Sequence, residues 1–87
     1  MNETERMAMA GNVLVPAILA LKDLGYTVSQ QKQGYPRWVA QLDHRQLLAD
    51  DPVQLLGLAL LRERRGQRWS ASDDEVNAVL HEYELDS

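Results

Sequence analysis

This 87-residue chain has no cysteine and only two histidines, and its five glycines are dispersed. Without cysteine there is no disulfide framework, no thiol nucleophile and no zinc site built on thiolates. That composition suits a reducing compartment, and the cytoplasm is the expected location. His44 and His81 bound any acid–base or metal chemistry. Neither stands among residues spaced to hold a metal: His44 follows Asp43 in a turn-like stretch, and His81 has only Glu82 and Glu84 nearby. Gly11, Gly25, Gly34, Gly57 and Gly66 form no GxGxxG pattern, so no phosphate-cradling loop is present. Ser70 and Ser72 have no base close in sequence and no glycine elbow around them. No nucleophile–base pair can be assembled, and the expectation is a protein that is not an enzyme and uses no cofactor and no metal. A membrane segment is missing too. Residues 7–21 are apolar, but Glu3, Glu5 and Arg6 precede them, and Gly11, Asn12 and Pro16 interrupt them. The stretch is too short for a bilayer and lacks a basic leader.

What is present describes an ordinary folded chain. An apolar share of 45% with 25% charged residues disfavours disorder. The length suggests a single domain over residues 1–87, near the size at which one core barely suffices, with a tail expected to fray from about residue 84. A net charge of −4 disfavours general binding to nucleic acid or to an anionic membrane. The charge is unevenly placed. Arg62, Arg64, Arg65 and Arg68 are followed by Asp73, Asp74, Glu75, Glu82, Glu84 and Asp86, which makes the last third dipolar.

Residues 50–66 carry start, body and stop of one helix. Asp51 suits the N-cap, Pro52 the first helical position, and Gln54 stands where a capping box wants Glu or Gln. Arg62, Arg64 and Arg65 fall in the last turn, where cations favour the dipole, and Gly66 supplies the stop. Leu55, Leu56, Leu58, Leu60 and Leu61 leave little polar face, so burial on most sides is expected.

Around it, residues 3–24 have apolar positions at helical spacing (Met7, Ala10, Leu14, Ala17, Ile18, Leu21, Leu24) before Gly25. Pro16 must kink such a helix or force a fresh start near Asn12, and one bent helix is the preferred expectation. Residues 26–31 and 37–42 alternate as strands about a turn at 32–36, and 46–48 can return as a third strand after Asp43-His44. Ser72 to Glu75 reads as a capping box, and Val76, Val79, Leu80 and Tyr83 form the stripe of a last helix. The fold class expected is α+β: a small two-layer domain of order α-β-β-(β)-α-α, with an antiparallel sheet packed on helices. The expected core is Leu14, Ile18, Leu21, Val28, Trp38, Ala40, Leu55, Leu56, Leu58, Ala59, Leu61, Val76, Val79 and Leu80.

The least bland surface feature is the cluster of Arg62, Arg64, Arg65, Arg68 and Trp69. It can serve as an interaction patch for phosphate, nucleic acid or an acidic protein face. The plainer reading, a helix C-terminus with Trp69 packed over the following cap, carries more weight. Asp50 and Asp51 are better explained by capping than by a cation. Gly57 costs about 1 kcal/mol inside a helix relative to Ala, so close approach of another backbone or of Trp38 is expected there.

The run Asp51-Pro52-Val53-Gln54-Leu55-Leu56-Gly57-Leu58, followed by Trp69-Ser70-Ala71-Ser72-Asp73-Asp74-Glu75, resembles a group of small uncharacterised bacterial proteins with one α–β–β–α–α domain. The resemblance spans about residues 21–80, and it implies no catalytic residue and no cofactor. In size, acidity and lack of chemistry the chain is also similar in general character to bacterial immunity proteins, which neutralise toxins by binding them. The expected function is therefore a small acidic protein-binding module, immunity- or antitoxin-like or regulatory, with an unidentified protein partner. The alternative is an anion or nucleic-acid binder that uses the arginine patch. Self-association as a homodimer is also expected, through an apolar patch to which Met7 and Met9 contribute. Membrane binding is not expected.

Overall fold

The computed structural model describes residues 3–9 and 11–84. Helix α1 (Leu14–Asp23) is entered through a 3-10 turn at Gly11–Val13. Strands β1 (Thr27–Gln30), β2 (Trp38–Leu42) and β3 (Arg45–Ala49) follow, then helix α2 (Pro52–Arg65), a 3-10 turn at Gly66–Arg68 and helix α3 (Asp73–Glu82). The fold is small α+β, with an antiparallel sheet ordered β1-β2-β3. Among the described residues, no helix is long and apolar enough to cross a membrane.

The expected single bent helix over residues 3–24 does not form. Residues 3–9 carry no helix, Ala10 lies outside the described residues, and the second arrangement, a fresh start near Asn12, is found. Pro16 is the reason. It occupies the third position of α1, within the first turn, where N–H groups have no intrahelical acceptor in any case. A helix begun earlier would place the proline ring in its interior, at about 3 kcal/mol.

At its other end α1 stops as Gly25 permits. With φ at +99°, Gly25 donates its N–H to the Lys22 carbonyl at 2.9 Å, and the Tyr26 N–H reaches the Leu21 carbonyl at 3.0 Å. These two bonds make a Schellman motif, whose usual apolar contact is here the pair of buried residues Leu21 and Tyr26. The stop thereby plants Tyr26 in the core at the entrance to β1.

Register fixes the two sheet faces. Val28 stands opposite Ala40, and Ala40 opposite Leu47, so Val28, Trp38, Ala40, Leu42, Arg45, Leu47 and Ala49 share one face. Helices α1 and α2 cover that face; the other carries Thr27, Ser29, Val39, Gln41, Gln46 and Leu48. The core is Leu21, Tyr26, Ala40, Leu47, Ala49, Leu55 and Ala59, ringed by Val28, Trp38, Leu42, Leu56 and Leu58. Of the residues expected inside, Leu14, Leu61, Val76 and Val79 are instead exposed, and Ile18 and Leu80 are half-buried. Helix α2 is likewise not enclosed on most sides, since Leu60 is 55% exposed. Three strands offer only one sheet-facing stripe for its leucines, and the other stripes meet water.

The caps of α2 and α3 follow the sequence. Asp51 accepts the Gln54 N–H at 2.8 Å, while the Gln54 side chain accepts from the Asp50 N–H, one residue further out than in a standard capping box. Ser72 and Glu75 form the full box. Of the tail expected to fray from about residue 84, residues 85–87 lie outside the described residues.

Candidate binding groove between the third strand and the second helix

The five residues of the expected patch part company in three dimensions. Helical spacing separates them first. Leu55, Leu58, Ala59 and Arg62 recur at three- and four-residue intervals and turn toward the sheet, so Arg62 is half-buried at the end of a core-facing stripe. Arg64 and Arg68 lie off that stripe and are exposed. Arg65 serves the chain itself. Its Nε donates to the Trp69 carbonyl at 2.8 Å, and its Nη2 reaches the Ser70 carbonyl at 3.4 Å and Glu75 Oε1 at 3.2 Å. One guanidinium thus clasps the connection to α3, a use that fits its fixed fork of donors. The Ser72 backbone N–H, and then the Arg65 guanidinium, hold the Glu75 carboxyl below its ordinary range.

Arg62 shares its surroundings with Arg45, a residue not singled out from the sequence. Arg45 begins β3 on the helix-covered face, in phase with Leu47 and Ala49, and is half-buried. Its Nη1 donates to the Tyr26 hydroxyl at 3.3 Å, so the stop of α1 also steadies the first residue of β3. The expected third strand, 46–48, stops one residue short of Arg45; alternation carried back by one position puts Arg45 in phase with Leu47. Both arginines line the same three surface depressions. Among the described residues, the only ion pair between side chains is that of Arg65 with Glu75. Neither Arg45 nor Arg62 forms an ion pair among the described residues, although Asp43 and Glu63 line the smaller depressions beside them.

The largest of these depressions is a groove of about 460 Å³ between β3 and the C-terminal half of α2. Leu47 and Leu58 form its base, and Leu48 and Leu61, each 40% exposed, its rims. Tyr35 and Trp69 supply aromatic surface, and Gln46 and Gln67 add amide groups beside the two arginines. Trp69 is half exposed. A second depression continues along Tyr35, Leu48, Leu58 and Leu61 to Gly57. A Cβ at Gly57 would meet nothing within 4 Å, so the expected close approach of a backbone or of Trp38 is absent. Gly57 instead leaves one side of this surface open.

The other titratable residues do not gather. Asp51 is committed to its cap and His44 sits at the β2–β3 turn. Among the described residues, no three His, Asp or Glu side chains are placed to hold a metal ion. An arrangement of apolar base and rims, aromatic surface and two cations can bind carboxylates presented on an apolar segment. No family model matches the sequence, and no curated protein and no solved structure matches it either.

Proposed function

We propose that the protein is a small non-enzymatic binding module whose working surface is the groove between β3 and α2, and whose partner is a protein segment carrying carboxylates among apolar side chains. The observation that supports this most is the pair of half-buried arginines, Arg45 and Arg62, beside an apolar base and in no ion pair among the described residues. A cation half removed from water is costly unless paired, so such a site favours an incoming carboxylate. An immunity- or antitoxin-like role, in which the groove caps an acidic face of a toxin, is one concrete form of this reading. Binding to nucleic acid finds less support. Arg64 and Arg68 stand apart from the groove, Arg65 is occupied, and the acidic α3 follows directly.

Selection from a displayed random-peptide library tests the proposal. The expected winners combine Asp or Glu with Leu, Val or aromatic residues, and shift the amide signals of Gln46, Leu48, Leu61 and Trp69. Arg62→Glu should weaken them about tenfold or more, as loss of a paired charge does, whereas Arg64→Ala should leave them unchanged. Micromolar binding of fluorescent duplex or single-stranded DNA near physiological salt, falling steeply as salt rises, would instead establish the nucleic-acid alternative.

A further inference from the structure

Helix α3 is the least accommodated element of the molecule. Val76, Val79 and Tyr83 are 41, 49 and 64% exposed, although with Leu80 they form a stripe at helical spacing. It has no extensive packing on the sheet or on α1, and none of its residues lines the groove. Helical periodicity places Asp73 on one flank of the stripe and Glu75 and Glu82 on the other, and Glu84 follows just past the C-cap. Helix α3 is thus an apolar stripe bordered by carboxylates. The groove is an apolar channel bordered by arginines.

We infer that the groove is filled by α3 of a second copy of this chain, in a reciprocal twofold exchange. This rests on reading the groove as a protein-binding site, and names its resident occupant. The charges are complementary: among the described residues neither Arg45 nor Arg62 forms an ion pair, and neither Glu82 nor Glu84 forms one with a basic side chain. Twofold symmetry makes the contact twice, covering both stripes and both grooves with no surface left to propagate. The short connection at residues 66–72 favours exchange between copies over closure within one. An external partner would then have to displace α3, and the module would switch from a pair of copies to a complex.

Sedimentation equilibrium of the full chain, from micromolar to millimolar concentration, decides it. The wild type should approach twice 9.9 kDa. Val79→Asp, at an exposed position, should return the single-chain mass with unchanged far-ultraviolet circular dichroism. Arg62→Glu and Glu82→Arg should each weaken pairing by roughly tenfold, and an equimolar mixture of the two should restore it, because each chain then offers what the other needs. A single-chain mass at millimolar wild type would overturn the exchange. So would a dimer that survives Val79→Asp but is broken by Val15→Asp on the exposed side of α1. A monomeric wild type that still binds a selected acidic peptide through Arg62 defeats the exchange and leaves the groove reading intact. A dimer held by α3 that no such peptide displaces leaves the exchange standing and defeats the groove as a docking site for other proteins.

Discussion

The body formed by α1, the sheet and α2 differs from α3 in what holds each one. In the body, contacts join residues far apart in the chain, as where Val28 pairs Ala40 and Leu21 meets Leu55 in one core. In α3, what holds the helix is local: a capping box, helical hydrogen bonds and the Arg65 clasp ten residues away. Apolar burial holds the body, while capping and one guanidinium hold the arm. A short helix without a packed face is marginal in water, so the two regions should differ sharply in protection.

The largest break in that contrast comes from truncating the core. Leu55→Ala or Leu21→Ala should cost about 2–5 kcal/mol, because both side chains are fully buried. Val79→Ala, in a monomeric sample, should fall within about 0.5 kcal/mol of wild type by urea unfolding. Leu56 and Leu58, expected from the sequence to behave as core, ring it instead and should lose less than Leu55. Equal losses at Leu55 and Val79 would abolish the distinction between body and arm.

Next in size is Ser72→Ala, which removes a cap worth about 1 kcal/mol. Hydrogen exchange should quicken through α3 and stay unchanged at Ala40 and Leu47. Quickening in the sheet would show that the two regions unfold together.

Gly57→Ala should act in the opposite direction. The position is helical and open, so the change should stabilise α2 by roughly 0.5–1 kcal/mol. A lower melting temperature would mean that something does approach Gly57.

The smallest effect is a pH dependence confined to the arm. The folded-state pKa of Glu75 lies below its unfolded value, so its contribution is present above the ordinary carboxylate range and is lost as pH falls through the depressed folded value. Carboxyl shifts of Glu75 and amide exchange in α3 should change together on acidification below about pH 4.3, the usual Glu value. The amide of Ala40 should not follow them.

Much of this architecture was legible in the residues. Period-two patterning over 26–31 and 37–42, the Asp43-His44 turn and the signals bounding α2 each correspond to an observed element. Caps are legible because they are local. Which leucine faces the sheet is not, since α2 has apolar residues on several faces and only the position of the sheet selects Leu55 over Leu60 and Leu61. The same gap hid the candidate site. Arg62 and Trp69 were in the expected cluster, but clustering in sequence grouped them with Arg65, whose donors are spent on the connection to α3. Arg45 and Tyr35 come from a strand and a loop that only the tertiary fold brings alongside.

The position of Arg45 also bears on solubility. β3 ends the sheet, and alternation leaves the backbone N–H and C=O groups of Gln46 and Leu48 pointing away from β2, toward any strand that arrives. A charged side chain on the covered face of such an edge is a known guard against runaway stacking, because a strand added there would have to bury it. Arg45→Leu would keep the register and relieve a half-buried charge, yet it should shorten the lag before fibril formation on prolonged incubation, followed by light scattering. The residue that prepares the groove for a carboxylate would then also be the one that keeps the sheet at three strands.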